Sequence, residues 1–124
     1  MIGALSIGVS ALRLSETRVA VAADNIVNAS NRVPHDPASG YTGYTPRQVV
    51  PISEGTGGVR PTVQPVDPAY VTVPAPQGGD EAIPNVFLAG EIVELNSASR
   101  AYESAAAIIR TADEMQDTLL DIVE

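Results

Sequence analysis

The chain has 124 residues, 44% of them hydrophobic, with a formal charge of −8 from 15 acidic and 7 basic side chains, and no cysteine. Such acidity disfavours nucleic acid and anionic membranes, whose phosphates need cationic neutralisation, and the lack of cysteine excludes disulfides and thiolate metal sites. One Phe, four Tyr and no Trp leave mostly small aliphatic side chains for a core. Each buries little area at about 25 cal/mol per Å², so a self-sufficient core is not expected.

The opening MIGALSIGVSAL is apolar, and Ala20-Val21-Ala22 offers a small-x-small pattern. No Lys or Arg precedes the run, however, and Arg13, Glu16 and Arg18 interrupt it, so a cleaved secretory signal is not expected. From Ala4 to Ala29 there is no proline, and Leu5, Val9, Leu12, Val19, Ala23 and Ile26 alternate at spacings of four and three once Glu16 takes its place in the series. That is a heptad seam. Asn25, Asn28 and Asn31 are expected to end the helix, because Asn tolerates left-handed backbone and bonds its own main chain. Residues 1–31 therefore form the first unit.

Residues 32–84 hold all ten prolines and seven of the ten glycines, which excludes helix through most of the segment. The β-prone runs Tyr44 to Ile52, Val59 to Val66 and Tyr70 to Val73 each carry or adjoin a proline, so they read as edge strands or extended segments. The GTGG at Gly55 to Gly58 joins the first two as a loose hairpin. Gln77-Gly78-Gly79-Asp80 reads as a hinge, with Asp80 or Asn85 as the cap of a final helix.

Residues 85–124 contain no proline and one glycine. Leu88, Ile92, Leu95, Tyr102, Ile109, Met115, Leu119 and Ile122 fall at helical spacings and line one stripe. The helix would be on the order of 57 Å long, too long for its own chain to cover. The small residues Ser104 to Ala107 mark where helices can approach closely. Ten acids against two arginines lie beyond residue 79, whereas the first 35 residues are weakly positive. The two helices can therefore pair without repulsion, charge guiding their register and apolar contact supplying the stability.

Chemistry is not expected. His35 is the only histidine, beside Asp36 in a proline-flanked loop, and no HExxH, CxxC, GxSxG or P-loop pattern occurs. Asp113, Asp117 and Asp121, spaced by four, describe a solvated helix face and not a metal site. The reading is thus of a non-enzyme with no cofactor, small-molecule substrate or nucleic acid. The expected fold is mainly α: two long terminal helices forming a coiled-coil pair, joined by a Pro/Gly-rich extended or β-hairpin middle segment. The expected subunit interface is Leu5, Leu12, Val19 and Ile26 packed against Ile92, Leu95, Tyr102, Ile109 and Leu119, within and between subunits. Heterologous contacts that do not close give a helical assembly.

Particular residues support a comparison. ADNIVN at Ala23 to Asn28, Gly43-Tyr44, and SRAYESAAAIIRTADEMQDTLLDI at Ser99 to Ile122 resemble the bacterial flagellar basal-body rod proteins. The motif positions are Asn25, Asn28, Gly43, Tyr44, Arg100, Tyr102, Thr111, Asp113 and Met115. The short middle segment, with YTPRQVV, GVRP, VDP and PNV, looks most like the proximal members. Departures from the pattern include Ala105, Phe87, Val27 and an extra stretch from Arg32 to Thr42. The resemblance implies a structural subunit of the rod, in the periplasm-spanning part of the basal body. It would polymerise through its terminal helices into a torque-transmitting shaft needed for motility, and reach it by type III export without a cleaved signal. Implied partners are copies of itself, other rod proteins, the basal-body ring and the export gate. The alternative is a non-polymerising helical-hairpin adaptor or export-related binding module of the basal body.

Overall fold

The computed structural model describes residues 2–123. The order of elements is α1 (Ile2–Asn28), β1 (Val33–Pro34), β2 (Arg47–Ser53), β3 (Val59–Pro65), β4 (Tyr70–Pro74), β5 (Asp80–Pro84) and α2 (Leu88–Val123). The helices run antiparallel: Gly8 lies against Ala105 and Ile109, Arg18 pairs with Glu94, and Asn25 bonds Glu91.

The middle of the chain is not an extended linker. Its five strands form two antiparallel sheets, one of order β1-β5-β4 and one of β2 with β3. The fold is therefore a mixed helix–strand domain, which corrects the expected mainly α coiled-coil pair. The physical reason lies in where the prolines fall. Glu54 N–H bonds Gly58 O and Val66 N–H bonds Pro46 O. Antiparallel alternation then places the pairs Pro51–Pro61 and Arg47–Pro65 at non-hydrogen-bonded positions. A missing N–H there points out of the ladder and costs the pairing nothing. It does empty the outer edge. On β3, Pro61 and Pro65 offer no donor and Val59 N–H is taken by Ser10 Oγ at 3.1 Å, leaving Val63 alone.

The segment expected to be a hinge is instead the β4–β5 turn, where Ala75 N–H bonds Gly79 O at 3.0 Å and Gly78 and Gly79 take φ of 93° and 86°. Asp80 opens β5, and Asn85 donates to Ala69 O and Pro68 O. Both residues serve the sheet and neither caps α2.

The β2–β3 hairpin lies along one flank of α1. Its base meets Asn25 through Arg47, and its tip meets Ile7 and Ser10 through Gly57 and Gly58. The other flank of α1 packs on α2 through small residues. Gly8, Ser15 and Ala22 are buried on α1 at intervals of seven, and Ala98, Ala105 and Ala112 are buried on α2 at the same interval. Small side chains let helix axes approach toward the lower end of the usual 8–10 Å range.

Candidate functional site: a two-helix face and its polar hub

Each helix carries a large apolar residue three positions before each small one. On α1 these are Leu5, Leu12, Val19 and Ile26; on α2 they are Leu95, Tyr102 and Ile109, with Ile92 and Leu88 continuing the row. Three residues back on a helix is a rotation of about 60° past the seam. In an antiparallel pair that rotation brings both rows to the same side. Gly8 against Ile109 shows the sense of it, and Ile7 and Ser10 place the hairpin on the opposite flank. The result is one apolar face made by both helices and turned away from β2 and β3, except at the start of α1, where Leu5 borders a depression with Val59, Arg60 and Pro61 of β3. Leu5 is 38% exposed, Tyr102 40% and Ile92 46%, while Leu12, Val19, Ile26, Leu95 and Ile109 are half-buried.

Leu119 lies apart from this face. It borders a shallow depression with Thr111, Glu114, Met115 and Thr118, near the end of α2. There α2 runs past the start of α1, and Met115, Leu119, Leu120 and Ile122 are all about half or more exposed.

A polar hub ties the face to the strands. Asn25 is fully buried, and its amide makes four hydrogen bonds. Nδ2 donates to Arg47 O at 2.7 Å and to Glu91 Oε1 at 3.0 Å; Oδ1 accepts from Tyr44 Oη at 2.8 Å and Arg47 N–H at 3.1 Å. A buried amide left unpaired would cost roughly 1–3 kcal/mol, so full satisfaction makes the arrangement specific. Around it, Arg47 pairs with Asp24 and Arg18 with Glu94. Burial holds the Glu91 carboxyl above its ordinary pKa despite the Asn25 bond, whereas the hydrogen bond from Arg18 holds that of Glu94 below. Tyr44 is placed by Tyr41, whose hydroxyl donates to Tyr44 O at 2.6 Å and whose ring stacks on Tyr70 at 4.4 Å. A Cβ at Gly43 would fall 2.6 Å from Tyr41 Oη, so any larger residue there would have to displace the Tyr41 side chain.

Two residues singled out 19 positions apart, Asn25 and Tyr44, thus meet directly. Asn28 turns back on α1, donating to Asp24 O at 2.8 Å. Arg100, Thr111, Asp113 and Met115 are exposed on α2 and take no part in the hub. His35 lies beside Tyr70 at 5.6 Å. Among the described residues no group of three or more His, Cys, Asp or Glu could hold a metal ion. Sequence reasoning missed the seam itself, the hub roles of Glu91 and Arg47, and the exposure of Ser104, Ala106 and Ala107, of whose stretch only Ala105 is buried. The seven-residue spacing of small residues was the available signal.

Residues 81–122, which span β5 and nearly all of α2, match the family described as flagellar basal body rod FlgEFG protein C-terminal. This last third of the chain is similar to that family, which supports a flagellar basal-body rod protein. That family is a structural one of the flagellar basal-body rod. No curated protein matches the chain.

Proposed function

We propose that this chain is a polymerising subunit of the flagellar rod, most like the proximal rod proteins, and that its terminal helices join it to copies of itself and to neighbouring rod proteins in the torque-transmitting shaft. Under this reading it crosses the periplasm in the rod, arrives by the flagellar type III export route, and meets the ring and export gate at its ends. One observation supports the reading most: the two-helix face carries large apolar side chains on both rows, and Leu5, Tyr102 and Ile92 among them stay 38%, 40% and 46% exposed. Strand addition is a poor competitor, since prolines strip donors from the β3 edge. The face and the projecting end of α2 are different surfaces, so contacts between them are heterologous, and they grow into a filament when the rotation between neighbours does not close a ring.

The test uses Ile92→Asp and Tyr102→Asp, both at exposed positions. The expected result is a monomer of unchanged helicity that no longer joins rods, in cells that cannot swim. Normal swimming by both variants would rule the reading out. Purified chain that binds another rod protein in a closed one-to-one complex, without growth at any concentration, would support the adaptor reading instead.

A further inference from the structure

We infer that the polar hub of Asn25 and Glu91, and not the small-residue seam, sets the register of α1 against α2, and with it the length of α2 left projecting. The seam is degenerate. In the observed register Gly8 lies beside Ala105, so the antiparallel order sets Ser15 beside Ala98 and Ala22 beside Glu91. If α1 slid one heptad toward the end of α2, about 10.5 Å, Gly8 would meet Ala112, Ser15 would meet Ala105 and Ala22 would meet Ala98. Small would still face small, with three such pairs in place of two. The large rows repeat at the same interval and would also keep their relation. There is room for the slide, because α2 has 36 residues and α1 has 27, and the slide would cover part of the projecting end.

The short β1–β5 pairing, Val33 with Ala82 and Pro34 with Glu81, ties the end of α1 to the start of α2 and would have to give by a few residues; what opposes the slide along the helices themselves is polar. After the slide Asn25 would face Ala98, and its bonds to Glu91, Tyr44 and Arg47 could not all be kept. Arg18 would leave Glu94 for the level of Ala101. A fully buried amide with four partners in one register and few in the next is a register device of the kind a single buried Asn supplies in coiled coils. The consequence for the projecting end rests on the assembly reading. The register itself is a property of the single chain, so the two can fail separately.

Disulfide trapping in the full chain reads it, and the native sequence has no cysteine to interfere. One heptad along from the Gly8–Ile109 contact lies Ser15–Tyr102. The pair Ser15→Cys with Tyr102→Cys therefore reports the observed register, and Ser15→Cys with Ile109→Cys reports the slid one. Cysteines a heptad out of register exceed the roughly 7 Å Cα separation that a disulfide can span. With Asn25 and Glu91 in place, only the 15–102 pair should oxidise. In the Asn25→Leu, Glu91→Leu background, the ratio of 15–109 to 15–102 cross-link should rise at least about tenfold, the factor that about 1.4 kcal/mol of register preference represents. A folded background that still cross-links only 15–102 would overturn the inference. If that background loses its helical signal, Asn25→Ala alone is tested for the same rise. Exclusive 15–102 cross-linking there, or loss of helix in both backgrounds, would equally overturn it, because the hub would then hold the fold and not its register.

Discussion

Gly8→Ala sets two effects of opposite sign against each other. In an unobstructed helix the exchange adds about 1 kcal/mol of helix propensity. Here the new Cβ would stand 2.7 Å from Ile109 Cγ1 and 3.4 Å from its Cδ1. Cγ1 belongs to a β-branched side chain with one strongly preferred rotamer in a helix, so it does not swing clear and the helices must part. Overpacking of this kind costs about 1–3 kcal/mol. The expected net effect is a loss of about 1 kcal/mol, or a fall in Tm of roughly 3–5 °C for a chain of this size. In an Ile109→Ala background the obstruction is gone, and Gly8→Ala should instead gain about 1 kcal/mol. The double-mutant cycle then closes with a coupling of about 2 kcal/mol. Urea unfolding followed by far-UV circular dichroism measures all four corners. Gly8→Ala stabilising the chain in both backgrounds, with coupling near zero, would refute the close approach of α1 and α2.

Two further predictions concern the hub. Tyr44→Phe removes the hydroxyl that donates to Asn25 Oδ1 and should lower unfolding free energy by about 1–2 kcal/mol; unchanged stability in urea would show that the bond adds nothing. Glu91 has a raised pKa from burial, so the folded state holds its proton more tightly than the unfolded one. Its contribution is greatest below the unfolded carboxylate pKa and is lost as pH rises through the folded value. Glu91→Gln keeps an acceptor for Asn25 without the buried charge. It should therefore raise Tm near pH 7, with the difference shrinking toward about pH 4; a variant less stable than the native chain near neutrality would contradict the assignment. The Arg18-bonded Glu94 works the other way, its stabilisation being lost as pH falls, and it is common to both proteins.

The two helices were legible because each is a long proline-free run with apolar residues at helical spacing. The β2–β3 hairpin was legible from GTGG between two β-prone runs. The three-stranded sheet was not. β1 is two residues long, and β5 reads DEAIP, with two acids and a proline and one β-branched side chain. Nothing in those residues alternates, and they form strands because partners accept and donate at the right positions, β5 between β1 and β4 and β1 along β5 alone. Prolines misled for a related reason: their number argued against a ladder, but register decides whether a missing N–H matters. On the helices, the largest apolar residues draw attention to the half-buried and exposed rows and away from the buried one. Gly8, Ser15, Ala22, Ala98, Ala105 and Ala112 carry little hydrophobicity each, and only their common interval of seven marks them as a seam. Asn25 looked like a helix-ending residue. Nothing local distinguishes it from Asn28, and its burial depends on Tyr44, Arg47 and Glu91 arriving from elsewhere in the chain.

The alanine seam also bears on how the molecule would carry a load. A joint between helices yields under twist largely through its side chains, where long ones such as Leu or Met can change rotamer and let one backbone creep past the other. Ala98, Ala105 and Ala112 have no rotamers to change, and neither has Gly8 or Ala22. Rotation of α1 about α2 would have to strain main-chain geometry or break the Asn25 bonds outright, so the pair resists twist. For a shaft that passes on rotation, such a joint loses little angle between one end and the other.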